Sequence, residues 1–142
     1  MQQVIQRYAD RIRSAAAEKK PLRLRGGGSK DFYGQALEGE VLDTRAYAGI
    51  IAYEPTELVI TVRCGTPLME LDDALRVEGQ HLAFEPPHFG PGATVGGMLA
   101  AGLSGPRRQC AGAVRDFVLG VRMLDGRGDD LRFGGQVMKN VA

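Results

Sequence analysis

Arg25-Gly26-Gly27-Gly28-Ser29-Lys30 follows a short alternating run, Leu22-Arg23-Leu24-Arg25, that reads as a strand. Three consecutive glycines after a strand let successive N–H groups curl into an anion-binding concavity. Ser29 adds a hydroxyl donor, and Lys30 or Arg25 adds a compensating charge. A lone glycine triplet is as readily a flexible turn. It is not a Walker A loop, because no Gly-Lys-Ser/Thr follows at the required spacing. It also lacks the third glycine of the G-x-G-x-x-G fingerprint, since Asp31 stands there.

The second glycine stretch is Pro91-Gly92-Ala93-Thr94-Val95-Gly96-Gly97-Met98-Leu99-Ala100-Ala101-Gly102. Thr94 reads as the cap of a short helix running to Gly102. Gly96 and Gly97 are expected to present free N–H groups at the positive end of its dipole, with no side chain to obstruct a phosphate. Close helix packing accounts for the same small residues, and alone it is the simpler reading. Two such loops in one small domain change the balance. One loop on each side would clamp a pyrophosphate.

Outward from these loops the pattern is mixed. Residues 3–18 place Val4, Ile5, Tyr8, Ile12, Ala15 and Ala16 at helical spacing, and Lys19-Lys20-Pro21 stops the helix. Val41-Leu42, Gly49–Tyr53 and the β-branched run Leu58–Val62 read as strands. Thr66-Pro67 reads as an N-cap and first helical position, opening a helix with Leu68, Leu71 and Leu75 on one face and an end at Gly79. Residues 82–93 are irregular. Phe117, Leu119, Val121 and Met123 alternate as a strand that turns at Asp125-Gly126-Arg127-Gly128 and returns through Leu131-Arg132-Phe133. The fold class is α+β. The end, through Val137, Met138 and Val141, is expected to be a cut inside a fold.

Length and composition set the outer bounds. The 142 residues, 15.3 kDa, suit one domain. Lys+Arg 18 against Asp+Glu 17 gives +1, which argues against a polybasic nucleic-acid binder. Glycine is the outlier, 20 of 142, about twice the usual ~7%. Cys64 and Cys110 are isolated thiols that suit a reducing compartment, and they make neither a disulfide framework nor an iron–sulfur cluster. The run without Asp, Glu, Lys or Arg, from Pro86 to Pro106, is too rich in Pro and Gly to span a membrane. His81 and His88 have no acidic or Cys partner at metal-ligand spacing, so no metal site is expected. Asp72-Asp73 reads as a solvated helix face.

Taken together, the two loops, their order and their separation resemble the FAD-binding domain of the vanillyl-alcohol oxidase/p-cresol methylhydroxylase flavoprotein family. Gly112-Ala113-Val114-Arg115-Asp116-Phe117-Val118-Leu119-Gly120-Val121 and the Asp125-Gly126 turn continue the match. Within the family, Gly105-Pro106-Arg107-Arg108 and Val137–Ala142 are similar to the smaller FAD-binding subunits of bacterial glycolate oxidases. The resemblance implies a two-lobed α+β domain of the p-cresol methylhydroxylase type, truncated at the C-terminus, gripping an extended FAD. Residues 1–20 form an N-terminal helix, 21–65 the first lobe and 66–142 an incomplete second lobe.

By the same resemblance, Gly26, Gly27, Gly28, Ser29 and Lys30 contact the pyrophosphate. Pro87, Thr94, Gly96 and Gly97 cradle the pyrophosphate and ribityl side, and Gly102, Ser104 and Gly105 continue that wall. Gly112 and Val114 pack near the flavin or adenosine. Some relatives tether the flavin through a His in the first loop; Ser29 stands there, so FAD is expected to be non-covalent. Family members carry a further substrate domain, so catalytic residues stay unassigned. The implied partners are a second flavoprotein subunit and an iron–sulfur subunit of a glycolate oxidase-like complex. The implied place is the cytoplasm, with any membrane association made through those subunits. Two other readings compete: a flavin-free structural subunit that keeps the fold, and a non-redox phosphate-binding module.

Overall fold

A computed structural model describes residues 1–136. The expectations on Val137, Met138 and Val141 lie outside those residues. Helix α1 (Gln2–Glu18) buries Tyr8, Ala9 and Ala15. The Tyr8 hydroxyl donates to the Asp43 carbonyl (2.9 Å), and Arg13 donates to the Gly128 carbonyl (2.8 Å), tying α1 to two distant segments. The helix ends before Pro21 because Lys19 turns left-handed (φ 53°) and Lys20 N–H returns to the Ala15 carbonyl.

Strands β1 (Leu22–Arg25) and β2 (Glu40–Asp43) pair in parallel, Arg25 opposite Asp43. A parallel pair needs a long crossover. Here the crossover is 26–39, so the first glycine loop begins where β1 ends. Strands β3 (Ile50–Glu54) and β4 (Val59–Val62) form an antiparallel hairpin through a 3₁₀ turn, Pro55–Glu57. Leu58, expected inside the strand, sits instead in the left-handed cap of that turn (φ 57°) with its side chain exposed.

Helix α2 (Leu68–Val77) lays Leu68, Leu71 and Leu75 into the core, where they meet Phe84, Ala93, Met98 and Val114. Burial of each leucine contributes roughly 1.5–3 kcal/mol. The expected cap at Thr66 is corrected. Pro67 holds the cap position, and Leu68 N–H is satisfied by the Ala93 carbonyl (2.8 Å). Helix α3 (Val95–Ala101) does start on Thr94, whose hydroxyl accepts from Gly97 N–H at 3.2 Å. Short helices α4 (Arg108–Ala111) and α5 (Val114–Phe117) follow. Phe117, expected to begin a strand, belongs to α5, because Asp116 takes the Ala113 N–H (2.8 Å) and winds the chain. Strands β5 (Gly120–Leu124) and β6 (Asp130–Gly134) close an antiparallel hairpin at the expected turn. Among the described residues, no helix is long and apolar enough to cross a membrane.

Candidate functional site

The two glycine stretches meet. Gly27 packs against the backbone of Gly92 so closely that a Cβ on Gly27 would overlap the Gly92 carbonyl oxygen. A Cβ on Gly26 would meet the Thr94 hydroxyl. Only bare backbone fits between these loops. Beside the contact lies a cleft of about 270 Å³, whose walls include Gly27, Arg45, Gly65, Pro91, Gly92 and Thr94.

On the first loop, the N–H groups of Gly26, Gly27, Gly28 and Ser29 find no backbone acceptor among the described residues. Such a row of donors, at the rim of a cleft walled mostly by small residues, suits an anion. Below the loop, Asp31 bridges two arginines: it accepts from Arg25 (2.8 and 2.7 Å) and pairs with Arg23 (3.1 Å). The Arg25 guanidinium fills the space where a Gly28 side chain would stand, and Gly28 itself is left-handed (φ 72°). Hydrogen bonding from Arg25 holds the Asp31 carboxyl below the usual range. Lys30 projects over the Phe89 ring at 5.9 Å.

The second loop differs from its expectation. Val95 N–H donates to the Thr66 carbonyl (2.9 Å), Gly96 N–H to the Cys64 carbonyl (2.8 Å) and Gly97 N–H to Thr94. The expected free donors at Gly96 and Gly97 are therefore already committed inside the protein. Gly96 is needed for packing, since its Cβ would stand 2.7 Å from the Cys64 Cβ. Gly96 and Gly97 thus serve the wall of the cleft, whereas the Gly26–Ser29 amides stay unengaged.

The other expected residues stand away from this cleft or serve the scaffold. Ser104, only 3% exposed, donates to the Gly102 carbonyl (3.2 Å) and accepts from Val114 N–H (3.0 Å). Val114 is in the core. Gly105 and Gly112 are left-handed turns packed on Glu85 and Asp116. Pro87, like these, is not among the residues lining the cleft. Arg45, Ala48 and Gly65 line it without having been singled out in the sequence.

The solvated face expected at Asp72-Asp73 is corrected at Asp72. His88 Nε2 lies 3.1 Å from the carboxylate of Asp72, brought from α2, and Asp72 is half-buried, while Asp73 remains on the solvated face with Arg76. Asp72 and His88, with His81, Glu85 and Arg107, border a second, more open depression of about 340 Å³. No metal-binding group of three or more His, Cys, Asp or Glu occurs among the described residues.

Burial pushes the Cys64 thiol up, away from the reactive thiolate, whereas Cys110 is exposed. Titration of the native chain with a thiol reagent at pH 8 should therefore give one fast equivalent, from Cys110. Cys64 should react at a comparable rate only on unfolding; two fast equivalents would contradict the packing of Gly96 on Cys64.

Comparison with known proteins agrees with this geometry. The family described as FAD binding domain matches residues 5–134. The chain is 53% identical over 137 residues to glycolate oxidase subunit GlcE of Escherichia coli K12, covering 96% of this chain and 39% of that protein. It is 34% identical over 133 residues to a D-lactate dehydrogenase of Archaeoglobus fulgidus, covering 91% and 29%. The chain thus spans well under half the length of these relatives. Its fold is shared with a glucose dehydrogenase, Phl p 4.0202 (TM-score 0.74, 18% identity, 91% of this chain and 27% of that one). It is shared also with 6-hydroxy-D-nicotine oxidase of Arthrobacter nicotinovorans (TM-score 0.68, 20% identity, 89% and 27%). The chain belongs to the FAD binding domain family, and its α+β architecture is of the p-cresol methylhydroxylase type.

Proposed function

We propose that this member of the FAD binding domain family holds FAD non-covalently and serves, as one subunit of a larger assembly, the oxidation of a 2-hydroxy acid such as glycolate. The observation that carries the reading is the row of unengaged N–H groups from Gly26 to Ser29, set against Gly92 and Thr94 at the cleft. A diphosphate is the part of FAD that such donors fit. When bound, FAD supplies two-electron redox chemistry, while the protein supplies position and electrostatics.

The chain's own residues have distinct tasks in this reading. Gly26, Gly27, Gly28 and Ser29 donate to phosphate oxygens. Arg25, fixed by Asp31 beneath Gly28, and Lys30 add positive charge. Pro91, Gly92 and Thr94 shut water out from the opposite side. Gly96 and Gly97 keep that wall in place rather than binding the anion. Pro87, Gly102, Ser104, Gly105, Gly112 and Val114 shape the scaffold further along the cofactor, all within the second lobe, 66–142.

Support for the substrate class comes from the relatives' names. Glycolate and D-lactate, the acids in those names, are both 2-hydroxy acids. The word subunit in the first name supports partner chains, which we assign as a second flavoprotein and an iron–sulfur protein on the cytoplasmic side. The test begins with FAD titration of the purified chain, followed by flavin fluorescence. One FAD should bind per chain, and acid precipitation should release all of it to the supernatant. Anaerobic glycolate should then bleach the flavin of the assembled complex. Colour left in the pellet would refute non-covalent binding, and a flavin bleached by neither glycolate nor D-lactate would refute the substrate class.

A further inference from the structure

We infer that Arg45 is a cationic ligand of the diphosphate, aimed into the cleft by Asp43; this rests on the FAD reading above. Among the described residues lining the cleft, Arg45 is the charged one, amid Gly27, Gly65, Pro91, Gly92 and Thr94. A diphosphate brings negative charge that backbone N–H groups meet only in part, so a guanidinium at this wall has a definite task.

The geometry shows how it is held. Asp43 ends β2 and accepts the backbone N–H of Arg45 at 2.9 Å, which fixes the turn between them. The same carboxylate takes the Nε–Nη2 edge of the guanidinium, at 3.0 Å to Nε and 2.5 Å to Nη2. Nη1 makes no hydrogen bond among the described residues, so part of the planar fork is left to a ligand. Asp43 is the positioning residue and Arg45 the binding one.

Charge at this end of the β1–β2 pair favours an anion as well. Arg23, Arg25 and Arg45 face two carboxylates, Asp31 and Asp43, and Arg25 lies opposite Asp43 in the strand register. One positive charge is in excess, beside the donor row of the first loop.

The experiment measures FAD and ADP binding by the full chain carrying Arg45→Gln, Arg45→Lys or, as control, Arg76→Gln on the exposed face of α2. Arg45→Gln should weaken both ligands about tenfold, the size of a lost charge-assisted hydrogen bond. Its binding should also fall less steeply as salt is raised. Arg45→Lys should restore the salt dependence but only part of the affinity, because the fork is gone. Arg76→Gln should bind as the parent does, and the ligand-free chains should melt together. Parent-like ADP affinity and salt dependence in Arg45→Gln would overturn the inference while leaving the FAD reading intact. A parent chain that binds neither ligand would overturn both.

Discussion

Replacing Gly27 by valine is expected to weaken FAD on the order of a hundredfold and to lower the melting temperature of the ligand-free chain. The new Cβ has nowhere to go: it falls on the Gly92 carbonyl oxygen, which is backbone and cannot swing aside. The loops must part, and forced overpacking of this kind costs about 1–3 kcal/mol in stability. Parting them also pulls the N–H row of the first loop away from the wall at Thr94, so binding suffers beyond the loss of stability. Gly126→Ala serves as the control, since nothing lies within 4 Å of a Cβ there. Titration and thermal melting of both variants check the claim. A Gly27→Val chain with parent affinity and melting temperature would contradict the contact between the loops. The corresponding change at Gly96 has a different profile. Its side chain would push into Cys64, so stability is expected to fall at least as much as binding.

Thr66→Val is the second large effect. Thr66 is fully buried, and its hydroxyl donates to the Arg63 carbonyl (2.7 Å) while accepting from Gly49 N–H (2.8 Å). Valine has nearly the same shape, so packing survives and the Arg63 carbonyl keeps the backbone N–H of residue 66 (3.1 Å), but the Gly49 N–H loses its acceptor. A buried unsatisfied group costs about 1–3 kcal/mol, and a loss of that size is expected. For a chain of this size that lowers the melting temperature by roughly 3–9 °C. Because Thr66 stands between Gly65 and Pro67, both on the cleft wall, FAD affinity should fall with it. Calorimetry of Thr66→Val and of Thr66→Ser checks this, since serine keeps the hydroxyl and should retain most of the stability. A Thr66→Val chain as stable as the parent would contradict the role of the hydroxyl.

Thr66 also shows where sequence reading reaches its limit. A threonine before proline at the head of an apolar helix has the local signature of a cap, yet its hydroxyl serves Gly49, a partner that only tertiary structure supplies. Arg45 is hidden for the same reason: Asp43-Thr44-Arg45 carries no motif, and the fold alone brings it beside Gly27. Features written in neighbouring residues are legible without the fold. The leucine spacing of α2 foretells its buried face, Thr94 foretells the start of α3, and Asp125-Gly126 foretells the last hairpin. The two glycine loops are legible as a pair, and they do meet. Their division of labour is not, because glycine at a helix start looks alike whether its N–H is free or donates to Cys64. The parallel pairing of β1 with β2 is equally silent in the sequence, since no turn joins the two strands.

That division of labour makes the central claim measurable at single backbone amides. Hydrogen exchange followed by NMR, on the chain alone and with FAD, separates the two loops. The N–H groups of Gly26, Gly27, Gly28 and Ser29 should exchange rapidly in the free chain and become protected when FAD binds. Those of Val95, Gly96 and Gly97 should be protected in both states, because their acceptors are internal. FAD binding that leaves the Gly26–Ser29 amides unprotected, while slowing exchange at Gly96 and Gly97, would contradict the account.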